Sequence, residues 1–484
     1  MKTAEVTPKL KQPPVFKLSF FTAMFERFGF YLLSDLIVLY MKAKYNYTDS
    51  QAFTLFAIFN ALVYITPAIG GYLSDNVIGI RRSIVFGLAM EGIGLFLLSM
   101  PQATHLAFGL AFIIIGVGFF KVGPTHLMAR SYENNDPRID SGFTLYYMSI
   151  NIGSLFSAIL AGYIQQYMGF RLVFVLASLS LVAALISYFI LRSRAKPLDS
   201  DVGKKRLPFV HWMLLLVGIC LALACATFLV MHTEVAEAAF FVITAILFVY
   251  FLYEITRSKR EEKLKIVAAL ILIVMGVVFF VFYYQAYTSI TLFINRSVVR
   301  TIFGHPIPTA TFLFFNPFWI LVLSPILASI YNQLSSHRGD FAVTTKFIFG
   351  LFLISFCFLS LYFSTFFHNT EAQVSPLWIV LAYFLYSFAE LLISALGVAM
   401  VTRIAPERLY GVMMGTWFLV GQGLASSISG IFANFASVPK DVTDHFAILH
   451  IYSHAFLEFG VIAIIMAFIG LAINPYIKHI AKLD

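Results

Sequence analysis

The chain has 484 residues, of which 60% are hydrophobic and only 12% are charged. Soluble domains average about half apolar and about a quarter charged residues, so this composition excludes an ordinary soluble protein. The net charge of +9 is spread over short segments between apolar runs, which argues against a nucleic-acid-binding surface. Uncharged runs such as 106–120, 212–231 and 266–294 approach or exceed a hydrocarbon core of about 30 Å, at about 1.5 Å per helical residue. The sequence therefore predicts an all-α integral membrane protein.

The apolar runs predict fourteen transmembrane helices in three groups. They are 16–41, 52–74, 83–101, 105–129, 141–166 and 171–192; then 210–231 and 236–256; then 266–293, 309–334, 342–366, 375–402, 410–434 and 448–477. We expect an N-terminal six-helix bundle in 1–192, a linker with two extra helices in 193–265, and a C-terminal six-helix bundle in 266–484. In such a layout a substrate site lies near the membrane midplane between the two halves.

Lysine and arginine concentrate in the loops on one side of the predicted bundle. That side carries the N-terminal tail, both linkers, Arg81, Arg82, Arg338, Arg403, Arg408, Lys478 and Lys482. Exceptions on the opposite side include Lys42, Lys44, Arg296 and Arg300. By the positive-inside rule we expect both termini in the cytoplasm. The basic start of the chain does not have the pattern of a cleavable signal peptide, because charged residues interrupt the first apolar run.

Cofactor chemistry has no signature in the sequence. Cys220, Cys225 and Cys357 lie inside apolar runs without metal-ligand spacing, so we expect neither a zinc site nor a disulfide framework. Paired histidines for haem, a dinucleotide glycine motif and a phosphate loop are all missing from the sequence. We therefore expect no cofactor, no direct use of ATP and no enzymatic activity.

Three charged residues stand deep in the predicted spans of the first half. Glu26 and Arg27 share one stripe of the first span with Tyr31, and Lys121 lies in the fourth span. A charge at the bilayer centre costs about 2.5 to 3.5 kcal/mol, so such side chains normally face the protein interior or a watery cavity. Adjacent helical residues point about 100° apart, so we expect Glu26 and Arg27 each to find a partner elsewhere. A structural ion pair is the alternative interpretation.

Glu390 stands alone in its span on a stripe of tyrosine and serine residues. An isolated buried carboxylate is either protonated or meets a cation, which in a transporter is a proton or a substrate ammonium. Asp35, Glu91 and Glu458 are further intramembrane acids. For Glu91 a packing role is an equal alternative. For Glu458 a hydrogen-bonded pair with His454, four residues earlier, is at least an equal alternative, and a position near the membrane surface is an alternative for Asp35 and His454.

Helix breaks and aromatic side chains indicate further walls of a cavity. The relevant residues are Gly116, Gly118, Gly123, Pro124, Asn316, Pro317, Ser324 and Pro325, together with Tyr146, Tyr147, Asn151, Tyr283, Tyr284, Gln285 and Thr288. Glycine and proline are common in membrane helices, and tyrosine is common at membrane interfaces. Their positions within the spans are what favours a cavity.

Seven motifs occur in order along nearly the whole chain. They are 25–31, 70–75 with Arg81 and Arg82, 120–124, 140–153, 316–325, 389–394 and 413–419. Together they resemble the proton-dependent oligopeptide transporter family of the major facilitator superfamily, and the two extra central helices fit its bacterial members. The resemblance implies a major facilitator fold in a bacterial inner membrane.

The resemblance also implies roles for individual residues. The family holds a peptide between its halves, with the carboxylate near Arg27 and Lys121 and the ammonium near Glu390. Other positions that match the cavity lining are Tyr31, Tyr64, Asn151, Tyr284, Asn316 and Trp417. The loop with Asp75, Arg81 and Arg82 is similar to the superfamily's gating loop.

Three positions depart from the family pattern. Ala23 replaces a glutamate, Ser34 replaces an arginine, and Tyr284 replaces a second glutamate. Because Ser34 and Tyr284 together remove two opposite charges that would pair across the halves, we expect proton coupling to be weakened or moved to another carboxylate. The candidates are Glu26, then Glu91, Asp35 and Glu390.

The sequence thus predicts a secondary active transporter of di- or tripeptides, or of peptide-like solutes, that works by alternating access. One alternative is a transporter of a non-peptide anionic solute, since Glu26, Arg27 and Lys121 sum to a net positive charge. Another is a membrane receptor that binds such a solute without moving it. The expected partners are the peptide, protons and the lipid bilayer, with no nucleic acid and with a monomer as the default.

Overall fold

The computed structural model describes residues 11–100, 102–133, 136, 138–302, 304–337 and 343–481. Arg338 and Lys482, on which the predicted orientation partly rests, lie outside these ranges. A small antiparallel hairpin, β1 (Thr301–Ile302) and β2 (His305–Pro306), stands among helices.

Eighteen α-helices follow one another along the described chain. The first half contains α1 (Phe16–Ser34), α2 (Ile37–Tyr45), α3 (Asp49–Leu73), α4 (Ile80–Leu98), α5 (Ala103–Phe120), α6 (Gly123–Ala129) and α7 (Ile139–Leu191). The linker contains α8 (Asp201–Lys204), α9 (Phe209–Met231) and α10 (Thr233–Arg257). The second half contains α11 (Arg260–Tyr283), α12 (Ser289–Ser297), α13 (Phe315–His337), α14 (Val343–Ser364), α15 (Leu377–Ile404), α16 (Tyr410–Thr416), α17 (Ala425–Ala433) and α18 (His445–Ala481).

These helices account for all fourteen predicted spans. Eleven helical stretches of the described chain are long and apolar enough to cross a bilayer. One of them, Ser141–Arg194, contains two predicted spans, because α7 breaks at Gly169, whose φ of 81° suits glycine. The remaining two spans, α1 with α2 and α4, are less hydrophobic since α1 and α4 each carry three charged residues.

Several spans are interrupted, and the interruptions fall close to the polar residues singled out in the sequence. α1 and α2 separate at Asp35, and α5 ends at the residue before Lys121. The ninth span passes through a 3₁₀ turn at Tyr284–Tyr287, and the thirteenth through a π-helical segment at Trp417–Leu424. Such local departures from α geometry often occur at functional sites.

Small residues allow the helices to pack closely, as is usual where lipid provides no hydrophobic drive for helix association. A Cβ atom added to Gly70 of α3 would lie 1.9 Å from the carbonyl oxygen of Gly118 in α5. A Cβ on Gly29 of α1 would lie 2.5 Å from the side chain of Leu181 in α7.

The two halves meet along α3 and α17, toward the end of the bundle opposite the termini. Asn60 donates its amide to the hydroxyl of Ser426 at 3.0 Å, and Ser426 donates to the carbonyl oxygen of Ala57 at 3.0 Å. A Cβ on Gly430 would lie 2.8 Å from the Cβ of Ala57. These contacts close that end of the space between the halves.

The two extra helices, α9 and α10, lie at the periphery. Only 28% and 17% of the residues in their most apolar stretches are buried within the protein. Their exposed side chains are largely hydrophobic, such as Leu214, Val242 and Phe248. Both helices therefore face lipid rather than the central cavity.

Candidate substrate cavity

A cavity of about 350 Å³ lies between the two halves. Seven of the nine predicted substrate-binding residues line it: Arg27, Tyr31, Tyr64, Lys121, Asn151, Asn316 and Glu390. The first five project from α1, α3, the junction of α5 and α6, and α7, whereas the last two project from α13 and α15. Tyr146, Tyr147 and Tyr283, expected from the sequence as aromatic walls, also line this cavity.

Glu26 and Arg27 form an ion pair with each other, so the expectation that each would find a partner elsewhere is wrong. The Nε atom of Arg27 lies 2.5 Å from one carboxylate oxygen of Glu26, and a terminal guanidinium nitrogen contacts the other oxygen. The Cα–Cβ bonds of these two residues point in different directions from the helix. The long arginine side chain nevertheless turns back, so that its planar guanidinium group meets the carboxylate. Glu26 is fully buried, and Arg27 retains 11% of its side-chain surface.

Lys121 occupies the break between α5 and α6. Its ammonium lies 4.1 Å from the centre of the Tyr64 ring, a cation–π contact with an aromatic side chain from α3. The guanidinium of Arg27 lies 4.6 Å from the centre of the Phe30 ring in the same way. Two cationic side chains of the first half therefore line the cavity, and each of them lies against an aromatic ring.

Glu390 accepts hydrogen bonds from two neutral groups of the second half and is therefore less isolated than its sequence context indicates. The Tyr283 hydroxyl donates at 3.2 Å and the Asn316 amide at 2.8 Å. Asn316 also donates to the hydroxyl of Ser387 at 3.1 Å. These donors orient the carboxylate, and among the described residues no lysine or arginine forms a salt bridge with it.

Ser34 and Tyr284, the two positions at which the sequence resemblance implies that opposite charges are missing, line one small space. This space of about 30 Å³ also touches Arg27, Asn60 and Lys121. The ring of Tyr284 lies 6.0 Å from that of Tyr64, centre to centre. Ser34 and Tyr284 therefore share this space, and Tyr284 also packs against an aromatic ring of the first half.

Trp417, predicted as a substrate-binding residue, lies outside the cavity lining. Its side chain is fully buried, and a Cβ added to Gly397 or Gly276 would lie 1.9 or 2.7 Å from the indole ring. The ring of Phe280, which does line the cavity, packs against it at 6.1 Å. Trp417 therefore packs against a residue of the cavity lining without lining the cavity itself. Tyr284, the other predicted substrate-binding residue outside this lining, borders only the smaller space described above.

The other two predicted proton sites are buried outside the cavity lining. Glu91 of α4 packs against α5, where a Cβ on Gly116 would lie 2.5 Å from its Cγ. Its neighbouring ionisable groups are Glu26, Arg27 and Lys121. Glu91 is therefore close to the two cations of the cavity without lining it. Asp35, at the break between α1 and α2, accepts a hydrogen bond from Ser157 at 3.2 Å.

The predicted gating residues make contacts within the first half and with the linker. A guanidinium nitrogen of Arg81 lies 4.0 Å from the carboxylate of Asp199, and Arg82 donates to the carbonyl oxygen of Lys205 at 2.6 Å. Asp75 lies 3.4 Å from the imidazole of His126.

His454 contacts His450 at 3.2 Å, whereas the sequence suggested a pair with Glu458.

Sequence reasoning did not single out Gln422, Phe418 and Ser154 as cavity residues. Gln422 follows Phe418 by one helical turn inside the π-helical segment, and Ser154 follows Asn151 by three residues. The i, i+3 spacing from Asn151 is a signal that points to Ser154, whereas the sequence contains no such signal for Phe418 or Gln422. No group of three or more His, Cys, Asp or Glu side chains suited to a metal ion occurs in the described parts of the chain.

Two helical bundles around a polar cavity, with cations on one wall and a carboxylate on the other, define a multi-pass membrane transporter of the major facilitator fold. A sequence model of the POT family matches residues 81–449. The chain belongs to the POT family.

Curated relatives match over almost the full chain. Dipeptide and tripeptide permease B of Salmonella typhimurium strain LT2 is 35% identical over 99% of this chain and 98% of its own length. Dipeptide and tripeptide permease A of Escherichia coli K12 is 36% identical over 98% of this chain and 94% of its own length.

Solved structures agree with the fold. The crystal structure of tetrameric PepTSo2 superposes with a TM-score of 0.87 at 30% identity, and covers 96% of this chain and 99% of its own. The structure of a bacterial homologue of the human drug peptide transporters PepT1 and PepT2 gives a TM-score of 0.86 at 30% identity, over 96% and 99% of the two chains.

Proposed function

We propose that this chain moves di- and tripeptides across the bacterial inner membrane by alternating access. The observation that carries the proposal is the placement of Arg27 and Lys121 in one half and Glu390 in the other, around a single cavity. A peptide zwitterion has a carboxylate at one end and an ammonium at the other, and both would form charge-assisted hydrogen bonds here. The functions for which the permease relatives are named support this proposal.

The size of the cavity favours short peptides. A sphere of the same volume would be about 9 Å across, which corresponds to two or three residues at ~3.3 to 3.6 Å each. Tyrosine rings from both halves line the space, and they provide apolar area for varied side chains together with hydroxyl groups. A site that must accept many peptide sequences needs such contacts more than it needs a tight pocket for one side chain.

The two cations are not equally available to a substrate. Arg27 is already engaged by Glu26, whereas Lys121 has a cation–π contact and no salt bridge among the described residues. A substrate carboxylate would bind Lys121 directly and compete with Glu26 for Arg27.

That competition suggests where a proton would enter. When a substrate carboxylate binds Arg27, the fully buried Glu26 loses its counter-charge, and a proton is the smallest cation that would restore neutrality. Glu91 stands next to Glu26 and would share or relay that proton. Asp35 ranks behind both, because its polar partner is a hydroxyl and it lies away from the cavity.

In this proposal residues 1–192 and 266–484 rock against each other, while 193–265 adds the peripheral helices. With both termini in the cytoplasm, the contacts between α3 and α17 close the external side. The loop with Asp75, Arg81 and Arg82 would then lie at the cytoplasmic side and move with the first half.

Reconstituted protein tests the proposal. Proteoliposomes that contain the purified full chain are given labelled dialanine, with and without an inward proton gradient, and accumulated label is compared with empty liposomes. Accumulation that unlabelled di- and tripeptides inhibit is expected. Binding without accumulation would indicate a receptor, and accumulation of a labelled small carboxylate but not of labelled dialanine would indicate a transporter of non-peptide anions.

A further inference from the structure

A second cavity, of about 430 Å³, lies away from the substrate cavity at the end of the bundle that carries the termini. It is formed where the start of α4, the end of α7 and the start of α9 meet the segment around Asp199. We name it the arginine cavity, after the three arginines that line it: Arg81, Arg82 and Arg192. The proposed peptide site does not use any of these residues.

The arginine cavity has an excess of positive charge. Asp199 is the acid among the residues that line it, and three arginines line the same cavity. Asp199 lies 4.0 Å from Arg81 and also accepts hydrogen bonds from the backbone N–H groups of Arg81 and Ser200, at 3.3 and 2.9 Å. Both of these backbone donors use Oδ1, while Oδ2 has no hydrogen-bond partner in the structure, and one carboxylate neutralises at most one of the three cations.

Some of the donor capacity in this cavity is unused. The Nε–H of Arg81 is buried and has no hydrogen-bond partner in the structure. Arg192 rests over the Phe189 ring at 5.3 Å, a contact that leaves its guanidinium donors free to face an acceptor. Arg82 differs, because it donates to the carbonyl oxygens of Ile78 and Lys205 at 3.0 and 2.6 Å.

The remaining wall is hydrophobic and faces the lipid side of the bundle. Phe86, Phe189 and Trp212 line it, and the rings of Phe86 and Trp212 pack at 5.9 Å. Phe189 and Trp212 are 46% and 37% exposed. Unpaired arginine donors thus stand at the ends of membrane helices, directly beside exposed aromatic surface. A free inorganic anion would gain nothing from that surface.

We propose that the arginine cavity binds an anionic phospholipid, with its phosphate at Arg81 and Arg192 and its acyl chains along Phe189 and Trp212. Basic pockets between membrane helices at the headgroup level recognise anionic lipids by this combination of charge and apolar contact. A bound phosphate would supply the missing acceptor for the Nε–H of Arg81. It would also hold the end of α7 and the start of α9 to α4, and so join the linker to the first half.

Lipid binding to the full chain tests this proposal, and it needs no transport measurement, so its outcome is independent of the peptide proposal. Purified protein in neutral detergent is titrated with phosphatidylglycerol, phosphatidylcholine or inorganic phosphate, and bound lipid is counted by native mass spectrometry alongside the melting temperature. Phosphatidylglycerol is expected to bind at least 10-fold more tightly than phosphatidylcholine, and inorganic phosphate is expected to leave the melting temperature unchanged.

Matched variants locate the site. The double variant Arg81→Gln with Arg192→Gln is expected to lose at least 10-fold in affinity for phosphatidylglycerol. Arg171→Gln, an exposed arginine elsewhere on α7, is expected to retain it. If the double variant does not fold, Arg192→Gln and Trp212→Ala are compared singly, and each is expected to weaken binding. Equal affinity for the two lipids, stabilisation by inorganic phosphate alone, or equal loss in Arg171→Gln would overturn the proposal.

Discussion

Arg296 donates hydrogen bonds to both carboxylate oxygens of Asp49, at 2.6 and 2.9 Å, and so ties the end of α12 to the start of α3. Lys42 contacts the same carboxylate, and the backbone N–H of Val438 donates to it at 3.0 Å. Asp49 is fully buried, while the two cations keep 24% and 20% of their side-chain surface. One acid thus joins the two halves at the end opposite the termini. It also gives a physical reason for two of the basic residues on that side, Lys42 and Arg296.

Replacement of Asp49 by asparagine should loosen this end of the bundle. Lys42 and Arg296 would lose their shared counter-ion, and we expect a loss of about 1 to 3 kcal/mol after allowance for solvent screening. The melting temperature should fall, and spin labels on the first turns of α3 and α18 should report longer distances. Asp441→Asn, an exposed acid on the same side, is the control. Unchanged distances in the Asp49 variant would show that the ion pairs do not hold the halves together.

Lys121→Ala should weaken peptide binding and uptake with little effect on stability. A charge-assisted hydrogen bond contributes about 1.5 to 3 kcal/mol, which corresponds to roughly 10- to 150-fold in affinity. Arg27→Ala should lose uptake and also melt at a lower temperature, because it leaves Glu26 buried without a counter-charge. Dialanine uptake and thermal shift measure both effects, with the exposed Lys44→Ala as the control. Normal uptake by both cavity variants would refute the proposed anion clamp.

Glu390→Gln should discriminate against substrates with a free amino terminus. Glutamine keeps a carbonyl oxygen that can accept from Tyr283 and Asn316, so the local structure should persist while the attraction to an ammonium is lost. Competition against labelled dialanine is measured for free and N-acetylated dipeptides, and we expect at least a 10-fold greater loss for the free ones, since the lost hydrogen bond is charge-assisted. Glu458→Gln changes an exposed glutamate and serves as the control. Equal loss for both kinds of peptide would assign Glu390 a structural role.

Glu26→Gln should reduce proton-driven accumulation more than it reduces exchange of peptide across the membrane. An amide cannot take up the proton that would replace Arg27 as the partner of this side chain. The measurement is uptake with an inward proton gradient, with and without a protonophore, next to counterflow without a gradient. Glu91→Gln and Asp35→Asn are compared in the same way. Steep accumulation that survives each of the three changes would place the proton at Glu390 or at another group.

Gly70→Ala should destabilise the first half, because the added methyl group would meet the backbone of α5 at Gly118 and the two helices would have to separate. Overpacking of this kind costs about 1 to 3 kcal/mol. Gly415→Ala is a matched control, since a Cβ at that helical glycine has nothing within 4 Å. Its melting temperature should be unchanged or higher, because alanine favours a helix over glycine by about 1 kcal/mol. Equal melting temperatures for the two variants would contradict the close packing of α3 and α5.

Much of the architecture was predictable because the bilayer imposes strong constraints on sequence. A membrane helix needs about 20 apolar residues, so hydropathy alone located all fourteen spans. Because burying a charge in a membrane is costly, the sequence also indicates Glu26, Arg27, Lys121 and Glu390 as cavity residues, and all four line the cavity.

The tertiary structure decided which groups pair and which way each helix faces. Arg296 meets Asp49 across 247 positions, and hydropathy carries no information about such a pairing. The pairing of Glu26 with Arg27 depended on the bend of a long side chain, which helix geometry at Cβ does not describe. Trp417 turned away from the cavity because Gly276 and Gly397 leave room for an indole behind the wall. A helix's rotation about its axis follows from how its neighbours fill space, and that is settled only when all the helices pack together.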